Sequence, residues 1–68
     1  MQMIQPTQRR LLKTKEAAIY LRYSAGTLRQ RVHDGQIPVI VFGTDGHEWR
    51  FDIRDLDAYI DAHRQTGA

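Results

Sequence analysis

Arg29, Gln30 and His33 stand close together in a short polar segment, and their side chains carry donors and acceptors that fit the edges of DNA base pairs. An arginine fork bonds both acceptors of a guanine and a glutamine amide bonds an adenine. Each well-made pair of this kind discriminates by about 1–3 kcal/mol. Lys15, Arg22 and Thr27 have the chemistry of phosphate contacts, which position a protein on a duplex without conveying sequence. Ser24, Ala25 and Gly26 open the same segment and belong with this surface, and His47 and Arg50 add two donors from farther along the chain. A plainer reading holds for each position, since such residues on a surface helix are often simply solvated. Arg31 can touch phosphate or lay its aliphatic stem over a core.

Other chemistries fit less well. Trp49, Phe51, Phe42 and Tyr59 could stack on the bases of a single strand, but their spacing suits the core that so short a chain needs. His33, His47 and His63 lack a ligand spacing and no cysteine assists them, so neither a metal nor another cofactor is expected. Asp52, Asp55 and Asp57 form the only acidic cluster, which a helix N-cap and first turn explain. The expectation is therefore a binding protein, not an enzyme, with no small-molecule substrate.

Short elements must position these groups. Ser24 is a good N-cap and Gly35 a good helix stop, which predicts a helix of about ten residues between them, with Leu28 and Val32 on its buried side. Before it, Leu11, Leu12, Ala17, Ala18 and Leu21 form an apolar set. Thr14 is the expected cap of a helix from about Lys15 to Arg22, with Glu16 in its first turn. With only Tyr23 between the two, they make a helix-turn-helix unit. The β-branched and aromatic run Val39–Phe42, the turn residues 43–47 and the stretch Glu48–Phe51 read as a β-hairpin, with Pro38 at its entry. Asp52 caps a last helix from Ile53 to about His63, whose stripe is Ile53, Leu56, Tyr59 and Ile60. The fold class is a small α+β domain, mainly α, over residues 11–64, with an arm at 1–10 and a tail at 65–68. Ile19 falls on the outer side of the first helix, where it could serve protein contact, as could Asp57 and Asp61 on the last.

The chain has 68 residues, no cysteine and a net charge of +2. That sum hides an asymmetry. Residues 1–36 carry seven basic against two acidic side chains, a net +5, while residues 37–68 carry three against six, a net −3. Such a split points to nucleic acid at one end. No apolar run approaches the roughly 18 residues that span a bilayer, and Met1–Pro6 lacks the plan of a signal peptide. A cytoplasmic, DNA-associated protein that does not bind membranes is expected.

The series Leu11-Leu12, Glu16-Ala17-Ala18, Tyr20-Leu21, Ser24, Thr27-Leu28, Asp34-Gly35-Gln36-Ile37-Pro38, Arg50 and Asp55-Leu56-Asp57-Ala58-Tyr59-Ile60 resembles the excisionase-type winged helix-turn-helix domains of the wider MerR-like group. The resemblance implies double-stranded DNA as partner, bound by the second helix and the hairpin wing. It also implies the role of a phage or mobile-element excision factor that bends DNA at attachment sites with an integrase, through cooperative self-assembly on DNA. A small phage or bacterial transcriptional regulator has the same fold, as does the DNA-binding domain of a phage packaging subunit. From another class comes a protein-interaction module that uses the acidic helix Asp52 to Asp61 against a basic partner. Three departures stand out. Ala25 replaces a frequent basic residue, and the wing tip 43–48 holds Asp45 and Glu48 where the family is usually basic. Lys13 stands at the family's cap threonine, hence the expected start at Thr14.

Overall fold

The computed structural model describes residues 10–65. In chain order they form β1 (Leu11–Leu12), α1 (Thr14–Leu21), α2 (Ala25–His33), β2 (Ile40–Phe42), β3 (Glu48–Asp52) and α3 (Ile53–Ala62). The strands make an antiparallel sheet in the order β1-β3-β2. Leu12 lies opposite Phe51, and Val41 lies opposite Trp49. This is a winged helix-turn-helix with β2 and β3 as the wing. Of the expected arm and tail, residues 1–9 and 66–68 lie outside the described residues.

Two corrections concern the start of the domain. Leu11 and Leu12 do not lead into the first helix but pair with β3 as a third strand, because Leu12 reaches the core beside Phe51 only from an extended backbone. Lys13, not Thr14, caps α1. Its carbonyl accepts from Ala17 N–H at 2.8 Å, and its own N–H donates to Glu16 Oε1 at 2.9 Å. Glu16 thereby satisfies the cap amide, and the helix begins one residue earlier than expected.

Both helices of the motif close with the same pair of bonds. At the end of α2, Gly35 N–H donates to Val32 O at 3.0 Å and Gln36 N–H to Arg31 O at 2.9 Å, with Gly35 at φ 78°. At the end of α1, Arg22 N–H donates to Ile19 O at 3.0 Å and Tyr23 N–H to Ala18 O at 2.8 Å. Arg22 takes the left-handed place itself, at φ 60°, where glycine is the usual occupant. It therefore stands outside α1, so both Arg22 and Tyr23 separate that helix from the Ser24 cap.

The core is built on Phe51, Leu28, Ile37 and Leu56, all fully buried, with Leu12, Ala17, Ala18 and Tyr59 around them. Ala17 and Ala18 are the residues that α1 buries in this core. Trp49 packs against this core and meets the Phe51 ring edge-on, centroids 6.3 Å apart. Phe42 does not join them. It is 44% exposed because it faces Glu48 at the far end of the wing, beyond the reach of the helices.

Asp52 closes the sheet onto α3. Its carboxylate caps the helix by accepting from Arg54 N–H at 2.9 Å, and it pairs with the side chains of Arg54 at 3.1 Å and Arg10 at 3.0 Å. Arg10 O accepts from Ile53 N–H at 2.8 Å, so both the backbone and the side chain of this arginine are tied to the start of α3. The bonds from Arg54, and then from Arg10, hold the buried carboxyl well below the usual carboxylate range.

Candidate nucleic-acid interface

Ser24 sets the entry of α2. Its Oγ accepts from Thr27 N–H at 3.1 Å and donates to Thr27 Oγ1 at 3.0 Å, so both hydroxyls are engaged in the cap. Ala25 is half-buried behind them, while Gly26 is exposed and a Cβ built on it would meet nothing within 4 Å. Packing does not require glycine there. The bare backbone leaves room for a close partner.

Farther along α2 the side chains divide by direction. Leu28 is buried and Val32 packs against the core, which turns Arg29, Gln30 and His33 outward. Arg29 and His33 face the wing across an open groove of about 370 Å³, with Thr14, Gly46, His47 and Trp49 as its other walls. A second groove of about 530 Å³ continues past Thr14, His47 and Trp49 to Lys13, Lys15 and Arg50, with Asp45 and Glu48 on the same wall. The fold thus gathers Lys15, Arg29, His33, His47 and Arg50 around two adjoining grooves. Lys13, Thr14 and Trp49 also line them, and sequence reasoning did not single them out for DNA. The spacing of Lys13 and Lys15 at a helix start was the signal for the first.

Other expected site residues lie apart from the grooves. Gln30 is exposed on the outer face of α2, where its Nε2 donates to Asp34 Oδ1 at 3.1 Å. Arg22 is exposed at the turn into α2. Arg31 turns away from the wing and lies over the Tyr23 ring, its Cζ 5.7 Å from the centroid. The Tyr23 and Tyr59 hydroxyls, 2.6 Å apart, both favour its charged form, so this side chain covers the tyrosine pair.

The expected protein-contact residues belong to α1 and α3. Ile19 is 63% exposed. Tyr20 OH donates to Asp57 Oδ1 at 2.6 Å, which ties α1 to α3 and raises the tyrosine pKa, and Asp61 pairs with Arg64 at 3.0 Å. Both acids are therefore engaged within the protein. Among the described residues no group of three His, Cys, Asp or Glu side chains could hold a metal. No described helix is long and apolar enough to cross a membrane.

The tight α1–α2 turn, the capped second helix and the wing beside it are the parts of a DNA-reading motif. A family model for helix-turn-helix domains matches residues 11–64. The chain belongs to this helix-turn-helix family. The family binds DNA, and the match runs from β1 through α3, so the wing and last helix belong to the unit as much as the helix pair does. No curated protein and no solved structure matches the chain. α2 is the second helix of the motif, and Arg29 and His33 lie on its wing-side edge.

Proposed function

We propose that this helix-turn-helix protein binds specific sites in double-stranded DNA, with α2 in the major groove and the 43–48 wing tip along the neighbouring backbone or minor groove. The observation that carries this reading is the convergence of Lys15, Arg29, His33 and Arg50 on the two grooves between the helix pair and the wing. Arg29 and Gln30 supply base-edge chemistry, and Lys15 and Arg22 supply phosphate contacts. The role proposed is that of an excisionase. It occupies attachment sites, bends them, assembles cooperatively along DNA and acts with an integrase or recombinase, while performing no reaction of its own. Such a protein works in the cytoplasm, on DNA.

Exposed Ile19, one turn along α1 from Lys15, favours contact with another protein molecule during that assembly. A transcriptional regulator would use the same grooves but would need neither bending nor a recombinase. Binding to sites selected from a random library separates the contacts. Arg29→Ala is expected to lose discrimination at one base pair, whereas Lys15→Ala weakens all duplexes alike and lowers the salt slope by about one. Equal loss on every sequence for Arg29→Ala would remove it from the reading face. Failure of the bound sites to bend in a circular-permutation gel shift would turn the role toward regulation.

A further inference from the structure

The wing carries its two DNA donors already in contact with acids. Arg50 Nη2 donates to Glu48 Oε2 at 3.4 Å, and its Nη1 donates to Trp49 O at 2.8 Å. His47 Nδ1 lies 4.0 Å from Asp45 Oδ2, and the same carboxylate accepts the His47 backbone N–H at 3.0 Å. Residues two apart on a strand share a face, so Glu48 is the neighbour that any ligand of Arg50 must meet. The Arg50 side chain is 27% exposed and that of Glu48 54%, which leaves the carboxylate the more accessible of the two at the groove wall.

We propose that Glu48 is a specificity-determining residue that holds the Arg50 guanidinium in the free protein and penalises its transfer to phosphate on random DNA. This rests on the DNA-binding reading of the grooves. Phosphates are offered at every position of a duplex, and taking one with Arg50 separates the pair and leaves the Glu48 carboxylate facing a second negative charge. A true site removes that penalty when it offers Glu48 a donor of its own, such as the amino group of a cytosine. Acid on the wing thus lowers binding everywhere except where a base edge satisfies it. The magnitude is modest, because an exposed pair is worth up to about 1 kcal/mol, or about fivefold in affinity.

The test is fluorescence anisotropy with a random-sequence duplex across a salt series, for the wild type, Glu48→Gln, Arg50→Gln and the double variant, with thermal melts to verify folding. Glu48→Ala serves as a second variant should Glu48→Gln fail to fold. Removing the carboxylate is expected to raise random-duplex affinity about threefold to fivefold. The salt slope should steepen by about one phosphate. That gain should vanish in the Arg50→Gln background. An unchanged affinity and slope would overturn the proposal, and so would a gain that survives in full without Arg50, since the carboxylate would then act by repulsion alone. Wild-type protein that binds no duplex at low salt would instead sink the DNA-binding reading, so the two failures are distinguishable.

Discussion

The cations of the helix-turn-helix half and those of the wing and last helix are held in opposite ways. Lys15, Arg22 and Arg29 are exposed and form no ion pair among the described residues. Arg50, Arg54 and Arg64 each lie against a carboxylate, of Glu48 at 3.4 Å, Asp52 at 3.1 Å and Asp61 at 3.0 Å. Apart from Arg10, which pairs with Asp52, and Arg31, which lies over Tyr23, the charge split between the two halves is also a split in availability among the described residues. On the proposed reading, the positive charge that releases counterions on binding belongs mainly to α1, α2 and the turn between them. The second half uses its arginines to fasten a helix cap, a helix end and the wing.

The strongest way to break this comparison is to ask whether the halves are one folding unit. Phe51→Ala removes a fully buried ring of β3 on which both halves pack. It is expected to cost about 3–5 kcal/mol, a large share of the roughly 3–10 kcal/mol expected of a chain this long. A single loss of helix and sheet signals in thermal melts checks this, and a surviving α1–α2 unit would contradict it.

Asp52 sharpens the comparison through pH. Its carboxyl is held low by Arg54 and Arg10, so its contribution is present above the unfolded carboxylate range, near pH 4. It is lost as pH falls through the depressed native value. Asp52→Asn should lower the Tm at pH 7 and flatten the acid limb of the Tm–pH curve below about pH 4. An unchanged acid limb would remove Asp52 from the account.

On the other half, Gly26→Ala should stabilise α2 by up to about 1 kcal/mol, since alanine is the better helix former and open space awaits its methyl. If the α2 N-terminus meets phosphate closely, the same variant binds DNA more weakly. Greater stability together with tighter binding would argue against that approach. The smallest effect is expected from Arg64→Ala, whose pair with Asp61 is solvent-exposed. DNA affinity and Tm should both barely change, whereas Arg22→Ala should weaken binding to any duplex.

Elements bounded by strong local chemistry were legible in the sequence. Ser24, Gly35 and Asp52 mark α2 and α3 because each makes or permits a bond within a few residues of itself. β1 was not legible, since two residues show no period and only the distant Phe51 and Asp52 make them a strand. Lys13 was misread because its side chain is a poor cap, while the deciding bond comes from Glu16. The exposure of Phe42 was hidden for a similar reason, as the apolar run Val39–Phe42 does not reveal where the hairpin outruns the core. At the grooves, Arg29 and Arg50 could be named from residue type. Their meeting with His33, His47 and Trp49 across the space between α2 and the wing depends on tertiary packing alone.

The central claim is that the unpaired cations Lys15, Arg22 and Arg29 serve a duplex. Its most direct test is the affinity of the unmodified protein for a random-sequence duplex, followed by fluorescence anisotropy as salt is raised. Log K is expected to fall linearly with log salt at a slope of about −3 to −6, the signature of several phosphate contacts. No binding at low salt would contradict the claim and leave a protein partner, met through exposed Ile19 or the acidic α3, as the alternative.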